Sequence, residues 1–174
     1  DVVVAAVLLL ADLASAPLRL FRPRAVSLPP PNVDSVTIQI LNWDGKALLA
    51  ECLPLLLDAV KAAGGGHEIL VVDNGSKDGS LEFLRDRFPE VRVLALDRNY
   101  GFSIGNNRGF NEVRTDIVVL LNNDMLVDRD FLKPLLRPFS DPAVFAVSSQ
   151  IQMADPTRRR EETGKTRARF ERGF

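Results

Sequence analysis

The fold is decided by residues 68–80, which read EILVVDNGSKDGS. Residues 68–72 form a short apolar run without alternation, which is typical of a strand that is buried on both faces. A polar loop begins at once with Asp73, and Asp78 or Ser80 can cap the helix that follows. The stretch therefore predicts a strand, a polar loop and a helix in succession, which is one unit of an alternating α/β fold.

The same unit recurs on both sides of this stretch. Strands that alternate with helices at close spacing predict a mainly parallel sheet with helices on its faces. In such a sheet, ligands bind beyond the carboxyl ends of the strands. The further predicted strands are 36–41, 91–95, 117–121 and 144–149, and the predicted helices are 46–63, 80–87, 102–113 and 130–137.

Composition narrows the function classes. The 174 residues carry a net charge of -1, and a domain that binds nucleic acid is usually basic, so we expect no nucleic-acid partner. The chain has one cysteine, Cys52, and one histidine, His67, which excludes a disulfide framework and a Cys/His zinc site. Cys52 falls in an apolar pattern at helical spacing and is predicted to be a core residue in a reducing compartment.

Four segments are predicted along the chain. Residues 1–27 are an apolar N-terminal segment that is either the end of a truncated membrane helix or an amphipathic helix. Residues 28–34 are a proline-rich linker, because LPPPN cannot lie inside a helix or a central strand. Residues 35–152 form the α/β domain. Residues 153–174 are a charged, flexible stretch, or alternatively a basic loop that closes over a phosphate or lies at a membrane surface.

Polar residues follow each of the first four predicted strands, within 42–45, 73–80, 97–102 and 122–124. Turn chemistry explains any one of these clusters, but four at the same edge of a sheet favour a binding site. Asp124 is either a ligand for a hard divalent cation or part of a turn with the two asparagines before it.

The stretch 101–109, GFSIGNNRG, places a glycine at every fourth residue. If this segment is helical, all three glycines lie on one face, where they let the helix approach the sheet closely or its N-terminus approach a phosphate. The two roles are compatible with each other.

Together, the motifs VTIQILNWDG, ILVVDNGSKDGS, DRNYGFSIGNNRG and VVLLNNDM resemble the successive signatures of family 2 glycosyltransferases with the GT-A fold, a Rossmann-like fold. Within this family, the motifs are most similar to those of the rhamnosyltransferase-like subgroup. The resemblance covers about residues 35–150. It implies that the chain is truncated to the half that binds the nucleotide sugar.

The resemblance also implies roles for single residues. The strand-one end should border the nucleoside, Asp73 should contact the base, and Asp124 should bind the metal. Asn122 stands where the family has the first aspartate of its Asp-x-Asp motif, Leu41 where Pro is common, and Asp44 where Asn is usual. The residues implied for the donor nucleotide are Leu41, Asn42, Trp43, Asp73, Arg98, Asn99, Asn107 and Asn123, and those for the metal are Asp124 and Asn122.

The implied reaction is transfer of a sugar from a nucleotide-diphosphate donor to an acceptor hydroxyl, with inversion and with help from Mg²⁺ or Mn²⁺. The acceptor is a glycan or a lipid-linked molecule, and the protein is cytoplasmic, with the inner face of the membrane as a further partner or anchor. The general base is expected beyond residue 174. A non-catalytic nucleotide-binding module of the same fold is the alternative. A dinucleotide-dependent oxidoreductase is disfavoured, because NWDGK replaces Gly-x-Gly-x-x-Gly after strand one.

Overall fold

The computed structural model describes residues 29–152, within which strands and helices alternate. The predicted segments 1–27 and 153–174 lie outside the described residues. The chain divides into two units, and most of the described part belongs to one compact unit, Pro30–Val147. Of the second unit, the structure describes residues 29 and 148–152, which have no regular secondary structure. The elements are β1 (Thr37–Asn42), α1 (Lys46–Ala63), β2 (Glu68–Asp73), α2 (Ser80–Arg87), β3 (Arg92–Ala95), α3 (Gly101–Phe110), β4 (Val118–Asn122), α4 (Leu132–Leu136) and a 3-10 helix (Arg137–Ser140).

The four strands form a parallel sheet in the order β3-β2-β1-β4, which confirms the predicted fold class. The register places Asn42 opposite Asp73, and Leu41 opposite Asn122. The polar residues that end β1, β2 and β4 therefore lie side by side at the carboxyl edge of the sheet.

One face of the sheet carries the apolar core. β-branched residues alternate along the two central strands, so Ile38, Ile40, Ile69 and Val71 all point to this face and are buried. Helix α1 covers them with an apolar stripe at helical spacing, and burying each large side chain contributes about 1.5–3 kcal/mol. The stripe consists of Leu49, Cys52, Leu53, Leu56 and Ala59.

Cys52 lies within this core, as predicted. Its side chain is fully buried, and burial, with a smaller contribution from the charge of Asp124, raises the pKa of the thiol to about 11. The residue is a small apolar packing group in the folded chain.

The opposite face is covered by α3, which lies on β1 and β2. Gly105 and Gly109 are buried against the sheet, and a Cβ at Gly109 would overlap the side chains of Val72 and Gln39. Close helix–sheet packing is therefore the reason for these two glycines. Gly101 differs, because it is exposed, has a φ of 79° and has open space around its Cβ position.

The prediction of a fifth strand over 144–149 was wrong. These residues have no regular secondary structure, and Phe145 is 97% exposed. A short apolar run becomes a strand when a neighbour supplies backbone hydrogen bonds, and within residues 29–152 β4 pairs with β1 alone. The apolar β4 is accordingly an open edge on which Leu120 is 64% exposed.

The helix predicted over 130–137 is present but shorter than predicted. α4 begins two residues later than predicted, and the chain tightens into the 3-10 helix at Arg137, just before Pro138. No helix between residues 29 and 152 combines the length and apolar character that crossing a bilayer requires.

Replacing Gly109 with alanine should destabilise the fold by about 1–3 kcal/mol, because the added methyl group meets Val72 and Gln39 in a closely packed interface. Urea unfolding followed by circular dichroism measures the effect, with Ser103→Ala on the exposed side of α3 as the matched control. Stabilisation by Gly109→Ala, as helix propensity alone would give, would contradict this packing.

At pH 8.5, iodoacetamide should leave Cys52 of the folded chain unmodified, because the thiol is buried and its pKa of about 11 leaves almost no thiolate. In urea, where the thiol recovers its ordinary pKa, modification should be complete within the same time. Mass spectrometry of the intact chain distinguishes the two. Rapid modification without urea would place Cys52 outside the core.

Candidate functional site

A pocket of about 480 Å³ opens at the carboxyl edge of the sheet. Its wall combines the polar residues that end two of the strands with the first turn of α3 and an exposed tryptophan. Ligands of parallel α/β sheets bind at this edge. The lining residues are Leu41, Trp43, Asn74, Asn99, Gly101, Phe102, Asn122, Asn123 and Asp124.

A second cavity, of about 560 Å³, lies at the amino ends of the strands. Although it is larger, its lining is mostly apolar and contains none of the predicted site residues. His67 lies in its wall, and burial lowers the pKa of this side chain while the charge of Asp34 opposes the effect. The position of the polar residues, rather than cavity size, assigns the functional site to the carboxyl edge.

Six of the ten predicted site residues line the carboxyl-edge pocket, and four do not. Asn42 and Asp73 are fully buried beneath it, while Arg98 and Asn107 are exposed and lie outside its lining. The lining residues outside the predicted set are Asn74, Gly101 and Phe102, although the start of the helix at Gly101 was considered as a place for a phosphate. Asn74 could have been found as the first residue after β2, within a polar loop already singled out.

The floor of the pocket rests on a buried hydrogen-bonded layer. Asp73 accepts a hydrogen bond from Asn42 Nδ2 at 3.1 Å through Oδ2, and one from the Ser76 backbone N–H at 2.9 Å through Oδ1. Asn123 Nδ2 in turn donates to Asn42 Oδ1 at 2.9 Å. The ends of β1 and β2 and the loop after β4 are thereby joined by side chains.

Two further carboxylates fasten the loop after β1 to the loop after β2. Asp44 Oδ1 accepts the Lys77 backbone N–H at 2.6 Å. Asp78 accepts the backbone N–H groups of Lys46 and Ser80, the first residues of α1 and α2, at 2.8 and 3.0 Å. Gly79 occupies the N-cap position itself, so Asp78 stabilises the helix start from one residue earlier. Burial acts to raise the pKa of Asp78, but the hydrogen bonds from Ser80 and Lys46 outweigh it and keep this pKa below its usual value.

Asn74 holds the loop that leads into α3. Its side chain is 2% exposed, and its Nδ2 donates to Asn99 Oδ1 at 2.9 Å and to the Gly101 carbonyl at 3.2 Å. Its Oδ1 accepts the Tyr100 backbone N–H at 3.0 Å. Both ends of one amide are therefore used to fix the wall of the pocket on the α3 side.

Two arginines lie against the ring of Tyr100 beside this loop. The guanidinium carbons of Arg98 and Arg108 are 4.8 and 3.7 Å from the ring centroid, which is cation–π geometry. The Tyr100 hydroxyl donates to Asp97 Oδ1 at 2.8 Å, and this bond, helped by the charges of both arginines, lowers the pKa of Asp97. The cluster places positive charge next to the pocket without lining it.

Asp124 is the carboxylate within the pocket wall. It is exposed and makes no hydrogen bond or ion pair with any residue in the 29–152 range. The same range contains no group of three His, Cys, Asp or Glu side chains that could hold a metal ion. One carboxylate with neighbouring amide oxygens still fits Mg²⁺ or Mn²⁺ when substrate phosphates and water complete the coordination.

A family model described as glycosyl transferase family 2 matches residues 35–173. The chain belongs to this family. The carboxyl-edge pocket is thus found in a family 2 chain, on the sheet edge where the sequence placed it.

Curated relatives match about half of this chain. Undecaprenyl-phosphate 4-deoxy-4-formamido-L-arabinose transferases of Edwardsiella ictaluri and Photorhabdus laumondii are 35% and 37% identical to this chain, over 97 and 99 residues. The alignments cover 53% and 52% of this chain but 30% and 29% of the relatives. The family 2 chain thus spans less than a third of the length of these relatives.

Solved structures support the GT-A fold. A mannosyltransferase from Pyrobaculum calidifontis, PcManGT, in complex with GDP-Man and Mn²⁺ has a TM-score of 0.55 and 22% identity, covering 82% of this chain and 45% of that one. TarS 1-349 from S. aureus in complex with UDP-GlcNAc has a TM-score of 0.53 and 18% identity, covering 59% and 30%. At these identities the likeness shows the fold.

Replacing Asn74 with aspartate should destabilise the fold by about 3 kcal/mol, because a buried carboxylate would then face the Asn99 side-chain oxygen and the Gly101 carbonyl. Asn107→Asp makes the same chemical change at an exposed position of α3 and should stay within about 0.5 kcal/mol of the wild type. Urea unfolding of both variants is the measurement. Equal stability of the two would show that the Asn74 amide does not hold the loop.

Proposed function

We propose that the carboxyl-edge pocket binds the nucleotide-diphosphate sugar of a glycosyltransferase, and that the whole protein transfers this sugar to an acceptor hydroxyl with inversion. The observation that carries the proposal is the pocket itself. It joins an exposed aromatic ring, amide groups and one carboxylate that no described side chain pairs with, at the ligand-binding edge of a family 2 domain.

The apolar parts of the pocket suit a nucleoside. Trp43 is 58% exposed and Phe102 is 67% exposed, and both line the pocket together with Leu41. Exposed aromatic faces stack on bases, and amides such as Asn99 provide donors and acceptors for a base edge or a ribose hydroxyl. The nucleoside contacts of Asn42, Asp73, Arg98 and Asn107 that the resemblance implies remain predictions.

The charges of the pocket favour a metal-assisted donor complex. Among the described lining residues, Asp124 is the charged side chain, and none is cationic. A diphosphate would therefore meet a negative wall unless a divalent cation entered with it. Asp124, assisted by the Asn122 side-chain oxygen, would hold Mg²⁺ or Mn²⁺, which neutralises the diphosphate as it leaves the sugar.

The acceptor and the cellular setting are proposed from the relatives. Their names contain undecaprenyl phosphate, which supports a lipid-linked acceptor over a free glycan for this protein. Transfer of the sugar to a lipid-linked acceptor would place the domain at the cytoplasmic face of a membrane. The general base and the rhamnosyltransferase-like subgroup stay predictions, and the relatives that match this chain carry a different sugar in their names.

The test is calorimetric titration of the chain with UDP, dTDP and GDP, each with and without Mn²⁺. One nucleotide should bind, and Mn²⁺ should tighten its binding. Asp124→Asn should weaken the Mn²⁺-dependent binding by at least about tenfold, because the variant lacks the carboxylate that offsets the cation's charge. Asp128→Asn removes an exposed carboxylate four residues further on, outside the pocket lining, and should leave binding unchanged.

Two outcomes would contradict the proposal. If no nucleotide binds the wild-type chain, the pocket is not a donor site in this chain. If Asp124→Asn and Asp128→Asn weaken binding equally, the effect reflects the net charge of the domain and Asp124 is not the metal ligand. Binding without sugar transfer in a longer protein that contains this domain would favour the non-catalytic nucleotide-binding module.

A further inference from the structure

A chain of side-chain hydrogen bonds runs from a fully buried carboxylate to the surface of the pocket. Asp73 accepts from Asn42 Nδ2, and Asn42 Oδ1 accepts from Asn123 Nδ2. Asp73 and Asn42 are 0% exposed, whereas Asn123 lines the pocket. We refer to these three residues as the relay.

The relay has a fixed polarity. A carboxylate has acceptor oxygens and no N–H, so Asn42 must present its NH₂ group to Asp73. This directs Asn42 Oδ1 towards Asn123, which must then present its own NH₂ group. Asn123 Oδ1 is therefore left on the other side of the amide, where it makes no hydrogen bond with any residue of the described part.

The backbone leaves room for the relay at Gly45. A Cβ at this position would overlap both Asn123 Nδ2 and Asn42 Oδ1, the two atoms of the outer hydrogen bond. A side chain at residue 45 would thus separate Asn123 from the buried layer. The contact between the loops after β1 and β4 depends on this small residue.

We propose that Asp73 is a positioning residue that orients the Asn123 amide through Asn42, so that Asn123 Oδ1 accepts a hydrogen bond from a hydroxyl group of the bound donor. The inference rests on the proposed function for the identity of the ligand. In this role Asp73 acts from beneath the pocket without touching the nucleotide. Its place in the fold supports this role over the direct base contact implied by the resemblance.

Replacing Asp73 with asparagine should reverse the relay. The Ser76 backbone N–H always needs an acceptor, so the new side chain must turn its oxygen to Ser76 and its NH₂ group to Asn42. Asn42 then has to present Oδ1, and its NH₂ group moves to the Asn123 side. The Ser76 hydroxyl, which accepts from Asn42 Nδ2 at 3.2 Å in the wild type, then turns to donate to Asn42 Oδ1. Asn123 must accept that bond, which leaves its own NH₂ group facing the pocket. A hydroxyl that donates to Asn123 would lose its acceptor.

The second change, Asn42→Asp, should restore the polarity when it is combined with Asp73→Asn. The carboxylate now stands at position 42, where it accepts from the new amide at position 73 and from Asn123 Nδ2. Asn123 Oδ1 again faces the pocket. A direct contact between the Asp73 carboxylate and the nucleotide would not be restored by this exchange.

The experiment measures dissociation constants for UDP, dTDP, GDP, UDP-GlcNAc and GDP-mannose with Mn²⁺. Asp73→Asn should weaken the binding of the ligands that bind the wild type by about tenfold, the cost of one mispaired polar group. The double variant should return to within about threefold of the wild type. Asp78→Asn is the control and should leave binding unchanged, because Asp78 also accepts backbone hydrogen bonds in the same loop but lies outside the relay and the pocket lining.

Side-chain amide NMR tests the relay without any ligand. The Asn123 NH₂ signals should shift and exchange faster with solvent in Asp73→Asn, since this group then faces the pocket, and should recover in the double variant. Unchanged Asn123 signals in Asp73→Asn, or no recovery in the double variant, would overturn the relay. If every nucleotide fails to bind the wild type while the signals behave as described, the proposed function fails and the orienting role of Asp73 stands.

Two outcomes of the binding experiment would also overturn the proposal. If the double variant binds as weakly as Asp73→Asn, the carboxylate itself contacts the nucleotide. If the variants change the Mn²⁺ concentration needed for half-maximal binding rather than the nucleotide affinity at saturating Mn²⁺, Asn123 Oδ1 is a cation ligand and the assignment to a donor hydroxyl is wrong.

Discussion

The Asp73 carboxylate is the constraint on which the carboxyl edge depends, because a buried carboxylate needs hydrogen-bond donors around it. The donors come from the Asn42 side chain and from the backbone at Ser76. The first ties β2 to β1, and the second makes the loop after β2 turn back on itself. Asn123, bonded to Asn42, adds the loop after β4. The floor of the pocket is therefore ordered by electrostatic necessity rather than by apolar packing.

The two faces of the sheet divide stability and function between them. The face under α1 holds the branched apolar side chains that form the core. The face under α3 is held by closer and more polar contacts, such as Gln39 Nε2 donating to Asn106, and by the glycines that allow the approach. α3 also supplies Gly101 and Phe102 to the pocket. The geometry of the site therefore depends on the face of the sheet that relies less on apolar packing.

The sequence was sufficient for most of the fold, because hydrophobic periodicity is a local signal. The helix predicted over 46–63 is confirmed at both ends, and parallel pairing brought the strand ends together as expected. The supposed strand 144–149 could not be judged in this way, since a strand exists through its partner. The site was less predictable because it, too, depends on contacts between residues that are distant in the sequence. Both Asp73 and Asn74 are buried, and nothing local in the sequence tells that Asn74 lines the pocket whereas Asp73 lies beneath it; the path of the loop decides this.

The glycine content of α3 has a consequence for the order in which the molecule assembles. Two glycines inside a ten-residue helix disfavour it by about 2 kcal/mol relative to alanine, and a helix this short is marginal on its own in water. Its formation is therefore coupled to docking on β1 and β2, and these two strands must pair before they offer the helix a surface. We therefore expect the α3 side of the pocket wall to form late in folding and to be released early by local unfolding.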